Sequence, residues 1–536
     1  MKSNKLNPTN PDHIIYHHPP MHIAILGGIR LEGLDRMRVT LKISTYTNVT
    51  VDKQVEHPGT GSGTGLSLRH NLDLYNDNQV EKLIRKIAER LEVGTSVAAA
   101  ALSDLTDELE KYRLEELEKQ THNQDERKIL TPEETRAAKQ YLSAPNLMER
   151  TEEDIGRAGV IGEETNRLLM YLIFTSRKRD NPLHLISLGS SGIGKTHLQE
   201  KVSALIPEED KLEITTLSGN AFYYFGQQEL RNKLILIEDL DGTDEVLYPL
   251  REIKSKKKIT KTVVVKNTKG ETRTVSLVVE GPVCVSGCTT KESLYEDNAN
   301  RSFLIYIDES KAQDKKIMNY QRKLSAGKID LAEEHIIQDQ FKNIQRILVP
   351  VTVRNPYAES LQIPEEVFKP RRSNAHYLAF IEAVTFYHQY QREKQYDKET
   401  GEEYIETTIE DIEEANKLMK KILLRKSDQL NAACRKYLEW LKAWLKREKK
   451  ISFTNQEARQ VLRINPSNQK RYMLQLQDFD YVAKIRGEKG KLHHYTITNL
   501  EEYEKLKDGI GSILDKILKK LRETGSQRST TSSKAQ

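Results

Sequence analysis

The segment that most constrains the fold of this chain is Gly189–Thr196, whose residues fit the pattern GxxxxGK[ST]. This pattern is informative only between a strand and a helix. Here the apolar run His184–Leu188 precedes it, and a helical pattern follows it through Leu205. The sequence therefore predicts a strand, a phosphate-binding loop and a helix at the centre of an α/β core.

The loop has the residue types that nucleotide binding requires. Its glycines allow positive φ, so that successive N–H groups point towards the phosphates, and the positive end of the next helix adds to the attraction. We expect Lys195 to reach the β- and γ-phosphates and the Thr196 hydroxyl to bind Mg²⁺. ATP and Mg²⁺ are thus the predicted cofactors. The predicted nucleotide-binding residues are Gly189, Ser190, Ser191, Gly192, Ile193, Gly194, Lys195 and Thr196.

A second apolar run, Leu234–Ile237, ends in the carboxylates Glu238 and Asp239. A buried parallel strand that delivers carboxylates at its carboxyl end suits magnesium binding and water activation. We assign Glu238 to magnesium and Asp239 to the attacking water. The usual order is Asp before Glu, so these two roles are open to exchange. We treat Asp241 as a bystander, and an acidic loop without function is the alternative for the whole segment.

A third strand is predicted at Val283–Ser286, with Thr289 and Thr290 shortly after it. One of these threonines, with Thr289 as the catalytic candidate, would lie between the two motif strands and touch the γ-phosphate or the water. Ordinary strand capping is the alternative. A short helix then leads to Arg301, which stands just before the strand Phe303–Ile307.

This order of phosphate loop, acidic strand, sensor strand, short helix, arginine and strand resembles the AAA+ family. The resemblance implies that Arg301 is an arginine finger, which reaches the nucleotide of a neighbouring subunit in a homo-oligomeric ring. A surface arginine is the alternative. The resemblance also implies a helical lid after the core, where Arg371 or Arg372 would be a second sensor.

Between the acidic and sensor strands, residues 254–280 read as an inserted β-hairpin. Ile259–Lys266 and Thr272–Val279 alternate about a turn at 267–270, and residues 254–273 contain eight basic residues against Glu271 alone. The hairpin resembles those that grip DNA in the channel of ring helicases. The predicted DNA contacts are Lys256, Lys257, Lys258 and Lys261. A solvated hairpin is the alternative.

Residues 427–499 read as three helices and a hairpin, which is a winged-helix layout. Fifteen Lys and Arg residues stand there against seven Asp and Glu. Lys470 and Arg471 fall on the third helix, the usual reader of DNA, and Lys484 and Arg486 fall on the wing. Docking of another protein is the alternative use of such a domain.

Composition and these motifs together set the predicted domains. They are an N-terminal α+β domain at 1–125 that begins with a flexible arm, a linker at 126–150, the core at 151–330, a helical lid region at 331–426, the winged helix at 427–500, and a helix with a disordered tail at 501–536. The histidines His13, His17, His18 and His22 are interpreted as loop residues rather than metal ligands, because no Cys or Asp joins them at ligand spacing. The glycine-rich segment 57–65 is a flexible loop and not a second phosphate loop.

The composition excludes several classes of protein. Three cysteines without CxxC spacing argue against disulfides and zinc and favour the cytoplasm. No apolar run approaches the ~20 residues of a membrane helix, and the polar first residues do not form a signal peptide. The net charge of +5 is small, so DNA binding has to be argued from local clusters.

The stretch from Asp154 to Asp308 resembles the ATPases of replication modules in bacterial integrative and conjugative elements, which are often labelled DNA primase or primase-helicase. The helix Tyr377–Arg392 extends the likeness to about two-thirds of the chain. It implies an ATP-dependent helicase or remodelling ATPase that acts on single-stranded or origin DNA beside a primase or replisome partner. The zinc-ligand cysteines and acidic Toprim residues of related primases are missing here. Primer synthesis and a non-hydrolysing, ATP-controlled DNA-binding switch remain as alternatives.

Overall fold

The computed structural model describes residues 5–29, 36–45, 67–124, 127–215, 221–242, 244–266, 272–290, 301–485 and 493–532. The chain divides into two units, Met1–Lys128 and Ile129–Gln536. Among the described helices, none combines the length and the apolar character that crossing a membrane requires. The predicted glycine-rich loop at 57–65, the hairpin turn at 267–270 and the short helix before Arg301 lie outside the described residues.

The first unit is an antiparallel sheet of five strands in chain order, with two helices packed on one face. Alternate residues such as Ile14, Tyr16, Leu41 and Ile43 point to that face and are buried, because strand side chains alternate between the two faces of a sheet. The elements are β1 (Leu6–Asn7), β2 (His13–His18), β3 (Met21–Leu26), β4 (Arg38–Thr45), β5 (Ser67–Asp73), α1 (Asp77–Leu91) and α2 (Thr95–Gln124).

The prediction of a flexible N-terminal arm is wrong. Ile14 and Tyr16 are fully buried in the core of this unit, and β2 pairs with β3 along its whole length. The prolines of this segment, Pro8, Pro11, Pro19 and Pro20, stand before and after β2, where they interrupt no ladder. His13, His17, His18 and His22 therefore lie in strands and not in a loop, and no group of potential metal ligands forms among the described residues.

The second unit is built on a parallel sheet of five strands in the order β12-β6-β11-β8-β7. Its central strands are buried on both faces, which is why they read as continuous apolar runs. Of this sheet the sequence missed the edge strand β7, a four-residue strand in which Lys211 and Glu213 alternate with Leu212 and Ile214. The elements are α5 (Glu164–Thr175), β6 (Leu185–Leu188), α6 (Lys195–Ser203), β7 (Lys211–Ile214), β8 (Leu234–Ile237), β11 (Cys284–Thr289) and β12 (Phe303–Tyr306).

The predicted linker at 126–150 is also wrong, because these residues contribute two helices to the core of the second unit. They are α3 (Pro132–Ser143) and α4 (Leu147–Arg157). Thr131 and Glu134 form a capping box at the start of α3. Tyr141 then packs edge-on against Phe341, with ring centroids 6.0 Å apart. The high charge of this segment belongs to the exposed faces of the helices.

The insertion before the sensor strand begins later than predicted. α7 (Asp244–Lys256) includes Lys254 and Lys256, and the hairpin proper consists of β9 (Lys258–Lys266) and β10 (Thr272–Glu280). The two strands pair antiparallel, with Lys258 opposite Glu280. Lys257 has φ +55° at the junction. Two lysines that were counted on the hairpin are therefore helical, because α7 runs through them before the chain turns.

The region predicted to be a helical lid contains a small sheet as well as helices. The α-helices that begin within 331–426 share one continuous hydrophobic core with the parallel sheet, so this region is not a separate layer. The sheet has the order β13-β15-β14. The elements are α8 (Lys311–Ser325), α9 (Leu331–Ile347), β13 (Thr352–Arg354), α10 (Pro370–Tyr387), β14 (Gln395–Tyr396), β15 (Glu403–Glu406) and α11 (Ile409–Ser427).

The C-terminal part has three helices and a three-stranded sheet in the order β16-β18-β17 around its own core, which includes Leu438, Trp444 and Leu476. A long helix follows and continues to Ser532, so the predicted disordered tail is wrong for residues 525–532. The elements are α12 (Ala432–Glu448), β16 (Phe453–Thr454), α13 (Asn455–Leu462), α14 (Pro466–Asp478), β17 (Val482–Ile485), β18 (His494–Ile497) and α15 (Glu502–Ser532).

Candidate nucleotide site

The loop between β6 and α6 has the backbone conformation of an anion cradle. Gly192 has φ +80° and Gly194 has φ +94°, a region that L side chains rarely adopt. Gly194 is also the N-cap of α6. The N–H groups at the start of the helix, which have no partner inside the helix, therefore face the loop, together with the positive end of the helix.

Lys195 closes this cradle. Its side chain is only 8% exposed, and its ammonium donates to the carbonyl oxygens of Gly189 at 2.9 Å and Ser190 at 2.8 Å. The charge is thus held at the loop by the loop's own backbone. Inward N–H groups and a fixed cation suit a polyphosphate, so the residues present fit a nucleoside triphosphate.

The acidic strand delivers its carboxylates to the same edge of the sheet. Glu238 and Asp239 are exposed directly after β8, and the Asp239 carboxylate accepts the N–H of Asp241 at 2.8 Å. Carboxylate and hydroxyl oxygens are the ligands that Mg²⁺ prefers. The Thr196 hydroxyl and the carboxylate of Glu238 or Asp239 are therefore groups that could hold the ion, which would neutralise charge on the phosphates.

Asp241, to which the sequence assigned no role, links the ends of two strands through hydrogen bonds. The Thr289 hydroxyl donates to its Oδ1, while the N–H and hydroxyl of Thr290 donate to its Oδ2 at 3.0 and 2.6 Å. β11 lies between β6 and β8, so Asp241 clamps the end of the acidic strand to the end of the strand next to it. Both candidate sensor hydroxyls are used in this clamp.

Cys288 is a site residue that the sequence analysis missed. Its side chain is buried, and burial raises the pKa of its thiol to about 11. A hydrogen bond with Thr196 and the charges of Lys195 and Asp239 also act on this pKa, so the thiol lies among these three groups. The alternation of β11 places Cys288 and Thr289 on opposite faces, which is the signal that could have identified it.

Gln199 connects the helix α6, which follows the loop, to the strands β11 and β8. It is 2% exposed, accepts a hydrogen bond from the Ser286 hydroxyl at 2.7 Å and donates to the Ile237 carbonyl at 3.3 Å. A buried amide with both ends paired holds its surroundings in one arrangement. Movement of α6 is thereby linked to the residue that precedes Glu238.

Glu309 joins the loop to the C-terminal part of the same unit. Its Oε1 accepts the Ser190 hydroxyl at 3.1 Å, and its Oε2 forms an ion pair with Lys436 of α12. Burial alone would raise the pKa of Glu309, but the hydrogen bonds from Lys436 and Ser190 outweigh burial and lower it. The Lys436 ammonium also lies 4.9 Å from the centre of the Trp440 ring. A negative charge therefore stands beside the predicted phosphate site.

Arg301 lies far from the loop of its own chain. β12 and β6 are parallel, with Phe303 opposite Leu185 and Tyr306 opposite Leu188. Arg301 precedes β12, whereas the loop follows β6. At about 3.3 Å per residue, roughly 20 Å of strand direction separates them, which exceeds the reach of an arginine side chain. The structure therefore does not bring Arg301 to Lys195 within one chain.

The Arg301 region includes a half-buried lysine. Lys254 Nζ lies 3.4 Å from the fully buried Ser302 hydroxyl. Burial, with a smaller contribution from the charge of Arg301, lowers the pKa of Lys254 to about 8. Arg371 and Arg372, the candidates for a second sensor, are exposed in the first turn of α10.

The predicted DNA-contacting residues lie in two places. On the hairpin side, Lys256 pairs with Glu252 at 2.6 Å, Lys258 lies 3.8 Å from Glu280, and Lys257 is half-exposed. Lys261 lies over the ring of Tyr223 at 5.4 Å. These contacts make the hairpin less purely basic than its composition suggests.

At the C-terminal site, Lys470 and Arg471 are exposed on α14 and Lys484 is exposed on β17. The preceding residue, Gln469, is buried, and its side chain donates to the Asn455 carbonyl at 2.7 Å. Arg486 and the predicted wing turn lie outside the described residues.

Comparison with known proteins supports the interpretation of the loop. A sequence-family model described as the MTBMA_p00010 P-loop domain matches residues 134–350. These residues form a P-loop NTPase domain. The match also includes α3 and α4, in agreement with their place in the core.

A protein with similar sequence does not indicate what this P-loop chain does. An uncharacterised protein of Methanothermobacter marburgensis is 24% identical over 312 residues, which are 55% of this chain and 37% of that protein. The chain thus spans little more than a third of the length of this relative.

Two solved structures that resemble the chain are each 11% identical to it in sequence. A full-length MCM homolog from Methanopyrus kandleri covers 55% of this chain and 62% of its own, with a TM-score of 0.35. Drosophila ORC bound to DNA covers 71% and 94%, with a TM-score of 0.19. TM-scores below 0.5 do not define a shared fold, so no function follows from these structures.

Proposed function

We propose that this chain is an AAA+-like ATPase that remodels or unwinds DNA during replication of a mobile genetic element, beside a primase in the cytoplasm. The observation that carries the proposal is the edge of the parallel sheet where Lys195, Thr196, Glu238 and Asp239 come together. A cation fixed on the loop backbone and exposed carboxylates two strands away are the parts that phosphoryl transfer requires.

Each residue then has a task that its position suits. The loop N–H groups and Lys195 bind and orient the phosphates. Glu238 and the Thr196 hydroxyl hold Mg²⁺, which supplies positive charge to the phosphates. Asp239 orients the attacking water, and its hydrogen bond from the Asp241 N–H fixes its direction. Glu238 and Asp239 are adjacent and equally exposed, so mutants have to decide between their two roles.

The position of Arg301 supports a ring of identical subunits. It lies at the edge of the sheet opposite the loop, so it is suited to a nucleotide on a neighbouring chain and not to its own. In such an arrangement hydrolysis depends on assembly, because each active site is completed by the arginine of the adjacent subunit.

DNA binding is supported by two basic regions in the second unit. The hairpin β9–β10 presents Lys258 and Lys261 next to the core. The three helices and three-stranded sheet of the C-terminal part suit a winged helix, in which α14 would read DNA with Lys470 and Arg471. Contacts to phosphate would give affinity without sequence preference, and they would weaken with salt.

The experiment is release of phosphate from ATP, followed over many turnovers with and without single-stranded DNA. We expect hydrolysis that DNA stimulates, and Lys195→Ala should abolish it while Lys201→Ala, on an outer position of α6, should not. Binding of ATP without turnover would instead indicate a switch. Incorporation of ribonucleotides on a template by the purified chain would indicate a primase.

A further inference from the structure

The outer face of the N-terminal sheet is a basic surface that the nucleotide chemistry does not use. α1 and α2 pack on the inner face, where the strand residues are apolar and buried. The strand residues that alternate with these apolar residues point to the outer face of the sheet. On β4 and β5 these outward residues include Arg38, Lys42 and Arg69.

The strand register brings two of these charges together. Lys42 stands directly opposite Arg69 in the antiparallel pair β4–β5, and neither forms an ion pair among the described residues. Like charges at directly opposed positions destabilise a sheet. A fold that keeps this repulsion on an exposed face has a use for the positive charge, since either residue could be neutral without loss of packing.

Histidines extend the same face across β2 and β3. His17 is opposite His22, their rings meet edge to face at 4.8 Å, and His13 lies on the same side of β2. The charge of Lys42 acts on His22 and helps to lower its pKa, after burial and the neighbouring histidines. The histidines thus lie beside the Lys42–Arg69 pair and form a polar continuation of it.

Acidic groups are nearly missing from the described part of this face. Asp73 is at its end, and its carboxylate is already occupied by the N–H groups of Met37 at 2.8 Å and Tyr75 at 3.2 Å. Between the basic residues are hydrogen-bonding side chains, such as Asn71 and Thr40, which pair with each other at 2.8 Å. The described charges of this face are therefore mainly positive, and hydrogen-bonding side chains lie between them.

We propose that this outer face binds the sugar-phosphate backbone of DNA, with Lys42 and Arg69 as its central phosphate contacts. A pair of adjacent positive charges, with amide and hydroxyl donors beside it, suits contacts to phosphate groups. A protein partner would require a large apolar or aromatic centre. The apolar residues of the outer face are Ile15, Ala24 and Leu26 on β2 and β3, and Ala24 is only 4% exposed, whereas Lys42 and Arg69 lie on β4 and β5.

The proposal deepens the DNA-remodelling function and gives the N-terminal unit a task within it, but the binding itself requires neither ATP nor the loop Gly189–Thr196. The unit would hold a strand that the second unit acts on. Two linked sites on one DNA strand raise its effective concentration at the ATPase, which strengthens overall binding without any new contact in either site.

The test uses the full chain without nucleotide and a fluorescein-labelled oligothymidylate, with affinity measured by anisotropy over a series of salt concentrations. Lys42→Gln with Arg69→Gln should reduce the slope of log affinity against log salt by about 1.4, since each lost phosphate contact on single-stranded DNA removes about 0.7. The double variant should fold, because it relieves a cross-strand repulsion. Lys42→Arg should keep the wild-type slope.

The matched control is Lys82→Gln with Arg90→Gln, which removes two exposed charges from α1 in the same unit. It should leave the slope unchanged. An equal loss in both double variants, or an unchanged slope in Lys42→Gln with Arg69→Gln, would overturn the proposal. So would competition by polyglutamate as strong as that by unlabelled DNA, which would indicate an acidic protein instead. Failure of the ATPase function would appear separately, as wild-type protein that binds DNA but releases no phosphate.

Discussion

Replacing Glu309 by Gln should tighten ATP binding, although it removes a charge that holds two parts of the molecule together. Glu309 Oε1 lies 3.1 Å from the Ser190 hydroxyl in the phosphate-binding loop. A phosphate bound by that loop would lie some ångströms from this carboxylate. Gln has the same shape and can still accept the Ser190 hydrogen bond, so the substitution isolates the charge.

The size of the effect follows from Coulomb's law and the exposure of the pair. For two unit charges about 6 Å apart, an effective dielectric constant between about 40 and 80 gives roughly 0.7–1.4 kcal/mol of repulsion. The high dielectric is appropriate because the side chains of Lys436 and Glu309 are 33% and 29% exposed. About 1 kcal/mol corresponds to roughly fivefold tighter binding of ATP.

Lys436 provides the opposite test. Lys436→Ala leaves the Glu309 charge without its ion pair, so ATP binding should weaken by a similar factor. Both shifts should shrink as salt is raised, because the pair is near the surface. Isothermal titration of ATP into each variant measures them. The matched control is the exposed pair Lys394–Glu403, 2.8 Å apart near the small sheet, where Glu403→Gln should have no effect. Unchanged or weaker ATP binding by Glu309→Gln would refute the reasoning.

Three further outcomes are expected. Asp239→Asn should bind ATP and not hydrolyse it, while Glu238→Gln should shift the Mg²⁺ dependence of hydrolysis to higher concentration; the reverse pattern would exchange their roles. Arg301→Ala should bind ATP but hydrolyse it about 10³-fold or more slowly. Mixing this variant with Lys195→Ala subunits should restore part of the activity. A normal rate of hydrolysis by Arg301→Ala would exclude the ring mechanism. Asp411 is fully buried, and burial opposes its ionisation, but hydrogen bonds from His388 and Arg392 lower its pKa to about 2. The contribution of this carboxylate to stability is therefore complete above about pH 4 and is lost towards pH 2. Asp411→Asn should cost about 3–5 kcal/mol of unfolding free energy near neutral pH, measured by urea denaturation, and a loss below 1 kcal/mol would contradict the buried network.

The sequence alone determined the parts of the fold that depend on neighbouring residues. The glycines and lysine of the loop need only a strand before them and a helix after them, so the local pattern was enough to locate the nucleotide site. The apolar runs of β6 and β8 could be recognised for the same reason, because a strand that is buried on both faces has few polar positions. The hairpin β9–β10 could likewise be predicted from its alternation.

Tertiary structure decided what depends on residues far apart in the chain. The charged segment at 126–150 reads as a linker until Tyr141 meets Phe341, 200 residues later. Cys288, Asp241 and Glu309 join the site only because parallel strands align their ends and α12 packs beside the loop. Apart from the strand alternation at Cys288, no local signal marks these residues, because their role comes from a partner that is distant in sequence.

The outer face of the N-terminal sheet shows both sources of information in one place. Alternation in the sequence assigns Lys42 and Arg69 each to the polar side of a strand. Only the strand register places them opposite each other, and only the packing of α1 and α2 decides which face of the sheet stays open. The side of a strand on which a residue lies can be read from its neighbours in sequence. The residue that lies opposite it on the next strand is decided by the folded chain, since cross-strand neighbours meet only when the sheet has formed.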